Sequence, residues 1–332
     1  MDSCFIIASS SLRCGLYSLG ASVGRVSFRP ENGEWTDVAL APETFDPDFP
    51  DPSLAGRTVG PCCGRIRQGD LPLESRRLLL VRNEGENHLH GGPHGCAFLF
   101  WKGAQLSASW VRFECMLPDG QDGYPGNRRI SADYRVSGSE LSVCYTAETD
   151  QETFLDLTNH VYWDLSGRFD GAALDQTLEI AADRVILNDG QHLPRAVVPA
   201  ENLFDFRHPR SLREAVSGGS GDPQIRTGRG YNNGFLPDPE LRAGMGYDAM
   251  LFSPRTGIRM ALRSDAPALV LYTGGFLGPE TRLQTAPGAA SPGCAVALEA
   301  QGVPDAAHLP GFRPEPLRPG QVFHREIAWR FT

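Results

Sequence analysis

Apolar and polar residues alternate along many short stretches of this chain, and this period of two limits its possible folds more than any other feature. The alternation runs through 130–136 and 141–147, and it returns at 258–262 and 327–331. Such a pattern is typical of a β-strand with one face against a core and the other in solvent. Helical periodicity is scarce, with one short candidate at 211–216. The chain is therefore predicted to be all-β.

Turn residues separate the alternating stretches. The Ser-Gly-Ser sequence at 137–139 predicts a hairpin, and the 37 glycines and 26 prolines are spread evenly along the chain. A continuous apolar run at 268–272 is typical of a strand that is buried on both faces. Loop-like stretches at 43–54 and 286–293 do not divide the chain into compositionally different halves. These observations favour one large antiparallel β-sandwich domain over residues 1–332.

The charge and the cysteines argue against several classes of protein. The 332 residues carry a net charge of −9, with a single lysine, Lys102, and no arginine-rich run. Nucleic acids and anionic membranes both require clustered positive charge, and no apolar run approaches the ~18 residues of a membrane span. The eight cysteines are scattered without a CxxC pair, so neither a disulfide framework nor a structural zinc site is expected.

The N-terminal stretch is not expected to be a secretory signal, because the acidic residue Asp2 follows Met1 and the apolar core is only four residues long. Together with the scattered cysteines, this predicts a reduced, cytoplasmic protein. No feature of the sequence indicates an oligomeric state. Neither a nucleic-acid partner nor a membrane partner is expected.

The stretch 157–166, LTNHVYWDLS, is the richest in residues that could carry chemistry. It places His160 at the end of a strand pattern, followed by the aromatic residues Tyr162 and Trp163. Aromatic rings offer apolar faces to the C–H side of a sugar, and an imidazole offers a proton near neutral pH. A sugar-binding role is therefore expected for Tyr162. The alternative interpretation is a core histidine with two core aromatics.

Three histidines fall within 83–95, which reads NEGENHLHGGPHG. Alternation puts His88 and His90 on one face of a strand, with His94 beyond a turn. Two imidazoles on one face could bind a metal ion, but the acidic residue expected soon after the second histidine is missing. A functional His90 without a metal is therefore favoured, and the following glycines would let the backbone approach a ligand closely.

Two charged residues are further candidates. Glu299 follows the apolar run 295–298, and a carboxylate buried there would have a raised pKa and could act as a base. The alternative is an exposed glutamate in front of a loop. Arg65 follows Gly64 and could hold hydroxyl groups if it is buried, whereas the alternative is a surface salt bridge of small energetic worth.

Nine motifs follow one another in an order that resembles the aldose 1-epimerase (galactose mutarotase) family, and the resemblance covers nearly the whole chain. They are SLGASV (18–23), GRTVGPCCGRI (56–66), NHLHGG (87–92), DGYPGN (122–127), YTAETD (145–150), LTNHVYWDL (157–165), LYTGGFL (271–277), ALEAQGVPDA (297–306) and LRPGQVFHREIAWRF (317–331).

This resemblance implies a large antiparallel β-sandwich with an open sugar cleft. It implies interconversion of the α and β anomers of a free aldose, with neither a cofactor nor a metal. By motif position, His160 would be the general acid for the ring oxygen and Glu299 the base for the C1 hydroxyl. His90 and Arg65 would hold sugar hydroxyls. The chemistry suits these residue types, because opening a pyranose needs one proton added to the ring oxygen and one removed from the C1 hydroxyl.

The chain departs from the family pattern at one position. The family usually has an aspartate that grips sugar hydroxyls, and the matching stretch here, GYNNGF (230–235), has Asn232 in its place. An amide can donate and accept, but the charge-assisted hydrogen bond is lost. Two alternatives to a free-aldose epimerase stay open, and the change at Asn232 is the main support of the first. One is an enzyme for a modified or phosphorylated sugar, with Arg65 and Arg67 as phosphate ligands, and the other is a non-catalytic carbohydrate-binding protein.

Overall fold

The computed structural model describes residues 4–45, 51–282 and 289–332, so the loops predicted at 43–54 and 286–293 lie partly outside the described residues. The strands of the first half are β1 (Cys4–Ala8), β2 (Leu12–Tyr17), β3 (Ser22–Phe28), β4 (Thr36–Asp37), β5 (Thr58–Val59), β6 (Arg65–Ile66), β7 (Asp70–Pro72), β8 (Arg77–Leu79), β9 (His88–Leu89), β10 (Lys102–Ser107), β11 (Trp110–Leu117), β12 (Arg128–Ser137), β13 (Glu140–Thr149), β14 (Thr153–Phe154), β15 (Thr158–Asn159) and β16 (Tyr162–Trp163).

The strands of the second half are β17 (Thr177–Ile180), β18 (Ala182–Asn188), β19 (Pro194–Pro199), β20 (Arg210–Ser211), β21 (Asn232–Pro237), β22 (Ala249–Phe252), β23 (Arg259–Ser264), β24 (Ala268–Tyr272), β25 (Val296–Gln301), β26 (Pro316–Leu317) and β27 (Phe323–Phe331). The α-helices are α1 (Leu212–Gly218), α2 (Pro223–Gly228) and α3 (Pro239–Met245). The predicted all-β class is thus confirmed.

Two large antiparallel sheets dominate the structure. The larger has nine strands in the order β10-β11-β12-β13-β27-β23-β22-β17-β20, and the other has six in the order β16-β25-β24-β21-β18-β19. A four-stranded sheet, β1-β2-β3-β4, is formed by the N-terminal residues. The predicted hairpin is β12–β13, in which Ser137 pairs with Glu140 across the turn. Each sheet is built mainly from such antiparallel pairings, as alternating sequences favour.

The apolar faces of the two large sheets meet in a common core. Trp163 of the six-stranded sheet contacts Trp329 and Phe331 of the nine-stranded sheet, with ring centroids 5.7 and 5.6 Å apart. Trp163 therefore belongs to the core, as the alternative interpretation of the stretch 157–166 had it for this residue. Successive residues of a strand face opposite sides, so Tyr162 points away from this core. Each large apolar side chain buried here contributes roughly 1.5–3 kcal/mol.

The same core cluster extends from Ile7 near the N-terminus to Phe331 near the C-terminus. This continuity supports the interpretation of residues 1–332 as one domain, which stays a prediction. Within the described ranges, none of the helices has the length and apolarity needed to cross a membrane.

The predicted helical turn at 211–216 is α1, whose first turn is capped by the Ser211 hydroxyl accepting a hydrogen bond from the amide of Glu214. Two further short helices were missed. Both α2 and α3 begin with an Asp-Pro pair, at Asp222 and Asp238, in which the carboxylate caps the helix and the proline takes its first position. This signal was present in the sequence and local in nature, so it could have located both helices.

Candidate active site

A cavity of about 390 Å³ lies against one face of the six-stranded sheet, opposite the common core. The residues predicted as site residues come from five separate parts of the chain, and the fold brings all of them to the wall of this cavity: Arg65, His90, His160, Tyr162, Asn232 and Glu299.

Two of these residues form a close acid–base pair. Glu299 lies on β25, and His160 lies in the link between β15 and β16. The Nε2 atom of His160 is 3.7 Å from the Oε2 atom of Glu299, and the two side chains are 7% and 5% exposed. This separation is too long for a direct hydrogen bond. Each group is thus free to bond a ligand atom while staying close to the other.

Hydrogen bonds through both its amide and its carbonyl group hold the main chain of His160 in place. Its amide donates to the carbonyl oxygen of Arg57, and its carbonyl oxygen accepts from the amide of Gly56, both at 2.9 Å. The imidazole also stacks on the ring of Tyr162, with centroids 4.8 Å apart and planes 28° apart. The ring of His160 is therefore held at a defined place and angle in the wall of the cavity.

Burial sets the electrostatic character of Glu299. Removal from water raises the pKa of this carboxyl above its ordinary value, and the nearby His160 and Arg65 oppose this rise. Within the described parts of the chain, the Oε2 atom has no hydrogen-bond partner. A buried carboxylate with a raised pKa and an unbonded oxygen has the properties of a general base.

Tyr162 contributes its ring to the site. Its hydroxyl donates to the carbonyl oxygen of Ser53 at 3.1 Å, so that the polar end of the side chain is already bonded. The ring is edge-on to that of Tyr272, with centroids 6.0 Å apart. Tyr272 was missed as a site residue because it ends the apolar run 268–272, where sequence alone indicates a buried strand. The two rings give the cavity an aromatic side.

His90 is held as a neutral hydrogen-bond donor. Its Nδ1 atom accepts from the amide of Gly64 at 3.3 Å, which leaves the ring proton on Nε2. Burial, together with the nearby His160 and Arg65, lowers the pKa of His90 well below its ordinary value. At neutral pH, His90 therefore offers an N–H group and no positive charge.

The predicted shared face of His88 and His90 does not exist. His90 has a φ of 52°, which ends the alternation of the strand at that residue. The ring of His88 bonds the hydroxyl of Tyr124 at 2.8 Å and the carbonyl oxygen of Val81 at 2.6 Å, away from the cavity wall. Among the residues that the structure describes, no group of three or more His, Cys, Asp or Glu side chains is placed to hold a metal ion.

The comparisons with known proteins agree with this geometry. The family model described as aldose 1-epimerase matches residues 4–330. The chain belongs to the aldose 1-epimerase family. Its relatives include the galactose mutarotase of Bos taurus, at 28% identity over 99% of this chain and 93% of the bovine protein. They also include the aldose 1-epimerase of Escherichia coli strain K12, at 29% identity over 84% of this chain and 80% of that protein.

A solved structure extends the likeness to the fold. The GalM/aldose epimerase homologue from C. elegans superimposes with a TM-score of 0.88 at 27% identity, over 100% of this chain and 99% of that chain. The predicted family and the predicted sandwich architecture are therefore confirmed. Aldose 1-epimerases are isomerases, and this protein is an enzyme of that class.

Arg65 combines the two roles considered for it from the sequence. Its guanidinium lines the aldose 1-epimerase cavity and also binds Glu84 through two parallel contacts, Nε to Oε2 and Nη2 to Oε1, both at 2.6 Å. Glu84, which also lines the cavity, was missed, because no spacing rule links residues 19 positions apart on separate loops and strands. The pair holds the planar group of Arg65 in a fixed orientation.

Asn232 lies at the start of β21, opposite Tyr272 on β24. The main-chain carbonyl oxygen of Asn232 accepts a hydrogen bond from the Nδ2 group of Asn188 at 2.7 Å, which ties this end of β21 to β18. Both asparagines line the cavity. The position where the family usually has an aspartate is therefore next to the aromatic side of the site, with a neutral amide in place of a carboxylate.

Proposed function

We propose that this protein interconverts the α and β anomers of a free, neutral aldose, with His160 as the general acid and Glu299 as the general base. One observation carries the proposal: two buried groups of opposite function, 3.7 Å apart and not bonded to each other, face one cavity. In a pyranose, the ring oxygen and the C1 hydroxyl are bonded to the same carbon. An acid and a base this close can each reach one of these two oxygens.

The reaction follows from this arrangement. Glu299 takes the proton of the C1 hydroxyl while His160 gives a proton to the ring oxygen, and the bond between C1 and the ring oxygen breaks. The resulting aldehyde turns about the C1–C2 bond, and the ring closes on the other face of C1. The two groups exchange roles during closure, so no proton is consumed. Each positioned proton transfer contributes typically 10²–10⁴-fold to the rate.

The surroundings of the pair suit this chemistry. A raised pKa brings the carboxylate of Glu299 closer to the working pH, where a base is most effective. The neutral His90 supplies a hydrogen-bond donor for a sugar hydroxyl without adding charge beside His160. The aromatic side formed by Tyr162 and Tyr272 suits the C–H face of a sugar ring.

The charge of the cavity favours a neutral sugar over a phosphorylated one. Among the lining residues that the structure describes, Arg65 is the only arginine or lysine, whereas three carboxylates line the wall: Glu84, Glu280 and Glu299. The guanidinium of Arg65 is already bonded to Glu84 through two parallel contacts along one edge. A phosphate group, with up to two negative charges, would meet net repulsion here.

Arg67, the second predicted phosphate ligand, is engaged elsewhere. Its guanidinium lies 3.4 Å from a carboxylate oxygen of Asp189 and 3.7 Å from one of Asp305. It is absent from the described cavity wall. Among the described residues, Arg65 and Arg67 therefore do not form a free pair for a phosphate, which argues against the phosphorylated-sugar alternative.

We expect hexose 6-phosphates to be neither substrates nor inhibitors at concentrations at which free hexoses saturate the enzyme. The Glu84→Gln substitution releases Arg65 from its counter-charge, and it should strengthen inhibition by a hexose 6-phosphate several-fold. Competition against mutarotation of a free hexose measures both effects. Glu86→Gln is the matched control, because Glu86 pairs with Arg82 at the exposed surface. Wild-type turnover of the phosphate ester at a rate comparable to the free hexose would contradict the neutral-sugar assignment.

We expect Asn232→Asp to raise kcat/KM for galactose or glucose several-fold if this side chain binds a sugar hydroxyl. A charge-assisted hydrogen bond is worth roughly 1 kcal/mol more than a neutral one. Asn202→Asp, which adds the same charge at an exposed position, should have no such effect. The assay compares free, phosphorylated and N-acetylated sugars on the wild type and both variants.

Two other outcomes of this comparison have definite meanings. A loss of activity on one of the modified sugars, with hexose activity staying low, would assign Asn232 to a different substrate. Unchanged kinetics on every sugar would mean that Asn232 does not bind the substrate, and that its match to the family's aspartate is wrong.

A reducing compartment is also part of the proposal. All eight cysteines are free thiols, and five of them are buried: Cys14, Cys62, Cys63, Cys96 and Cys294. Free buried thiols behave as small apolar groups and persist where disulfides are not formed. This supports the predicted cytoplasmic location.

A further inference from the structure

Gln301 is a second polar side chain of β25 at the cavity wall, two residues after Glu299. It is 1% exposed, and its Nε2 group has no hydrogen-bond partner within the parts of the chain that the structure describes. The amide therefore lies inside the protein, beside the cavity, with its donor group unbonded. None of the roles described above uses this side chain.

A second buried glutamine makes a useful comparison. Gln176 is also 1% exposed, but its Nε2 group donates to the carbonyl oxygen of Ala173 at 2.9 Å and its Oε1 atom accepts from the amide of Leu165 at 2.8 Å. Gln176 thus serves the fold, as buried amides normally do. An unbonded amide is unfavourable unless something else satisfies it, and Gln301 is one of the residues that line the cavity.

The position of Gln301 indicates which part of a sugar it can reach. Residues two apart on a strand face the same side and lie about 7 Å apart. Glutamate and glutamine side chains have the same length, so we expect their ends to lie about this far apart when both extend from the same face. The hydroxyls on C3 and C4 lie farther from the C1 hydroxyl than the hydroxyl on C2 does, so they suit a donor at this distance best.

Gly64 places the amide of Gln301 on the same side of the cavity as His90. A Cβ atom added to Gly64 would lie 3.4 Å from the Nε2 atom of Gln301, and the amide of Gly64 is the group that orients the ring of His90. Two uncharged N–H donors, from His90 and Gln301, therefore flank one backbone segment. Such donors suit neutral hydroxyl groups.

We propose that Gln301 is a substrate-binding residue that donates a hydrogen bond from its amide to the C3 or C4 hydroxyl of the aldose. This rests on the proposed function, because the contact of Glu299 with the C1 hydroxyl sets the orientation of the ring. A buried donor that is placed to bond a sugar hydroxyl discriminates against a sugar without that hydroxyl, because the amide is then left unbonded. Gln301 is thereby a determinant of specificity as well as of affinity.

The substitution Gln301→Met tests this assignment, because methionine has a similar length and no donor. We expect KM for the preferred hexose to rise about tenfold, with kcat changed by less than about threefold, since the contact forms equally in the ground state and in the transition state. The melting temperature should stay the same or rise, because an unbonded buried amide is removed. Gln151→Met, at an exposed position away from the cavity, is the control.

A panel of monodeoxy sugars identifies the hydroxyl. In the wild type, either 3-deoxy- or 4-deoxy-D-glucose should lose about tenfold in kcat/KM relative to the parent sugar. In Gln301→Met this particular loss should disappear, while losses for the 2-deoxy and 6-deoxy sugars stay as in the wild type. The wild-type panel needs no variant, so it tests the proposal even if the variant fails to fold.

Three results would overturn the assignment. The first is an unchanged KM in a folded Gln301→Met variant. The second is a fall confined to kcat, which would make Gln301 a positioning residue for Glu299. The third is a wild type whose kcat/KM values for the 3-deoxy and 4-deoxy sugars equal that for the parent sugar. A wild type that does not accelerate mutarotation of any free aldose is a different outcome, because it rejects the proposed function itself. Calorimetry with the parent sugar on the wild type and Gln301→Met separates a wrong assignment of Gln301 from a wrong proposed function, because it measures sugar binding independently of mutarotation.

Discussion

We expect Glu299→Gln to lower the rate of mutarotation by a factor of about 10² or more while sugar binding is largely retained. Glutamine keeps the size and the hydrogen-bonding capacity of the side chain but cannot accept a proton. Because Glu299 and His160 face the same cavity at 3.7 Å, no other carboxylate described in the structure is as well placed to replace it. Polarimetry measures the rate, and calorimetry measures sugar binding.

The pH dependence gives the same prediction a second readout. Ring opening requires Glu299 in its deprotonated form, and burial raises the pKa of this group. The value of kcat/KM should therefore fall as the pH decreases through a pKa above that of an ordinary glutamate, and Glu299→Gln should lack this acidic limb. The surface substitution Glu148→Gln should preserve both the rate and the limb. Near-native turnover by Glu299→Gln would remove Glu299 from the mechanism.

The second large effect is expected at the acid. His160→Gln should also lower the rate about 10²-fold or more, because an amide can bond the ring oxygen but cannot protonate it. Glutamine also loses the stacking of the imidazole on Tyr162, so a rise in KM is expected beside the fall in kcat. His208→Gln is the matched control, since His208 is exposed and lies outside the described cavity wall.

The combined variant of His160 and Glu299 separates a working pair from two independent groups. If both residues act in one proton-transfer cycle, the double substitution should cost little more than the larger single effect, because each loss alone already interrupts the cycle. A rate loss in the double variant equal to the product of the two single losses would mean that the two residues act independently. A His160→Gln variant with near-native kcat would show that the proton for the ring oxygen comes from another group.

The strands could be predicted because their signal is local. In β13, the residues at 141, 143, 145 and 147 are buried as the alternation required, and the hairpin to β12 follows from a short turn sequence. The place of Trp163 could not be read in the same way. Both faces of the six-stranded sheet are in use, one for the core and one for the cavity, so aromatic residues at adjacent positions looked alike in the sequence.

The sequence predicts the proposed catalytic pair, but the contacts around it depend on the fold. Glu299 and His160 were found through an apolar run and a motif. The contact between Arg65 and Glu84 joins two segments that only the tertiary structure brings together, and the positive φ of His90 has no signal in the residue itself. The unbonded amide of Gln301 is likewise visible only once the neighbours of β25 are known.

The central claim is that His160 and Glu299 open and close the ring of a free aldose in the cavity described above. Polarimetry on freshly dissolved α-D-glucose and α-D-galactose tests it most directly, with Glu299→Gln measured at the same protein concentration. We expect the wild type to accelerate the approach to the equilibrium rotation for at least one of these sugars, and the variant to reduce that acceleration by about 10²-fold or more. No acceleration by the folded wild type, or equal acceleration by both forms, would contradict the claim.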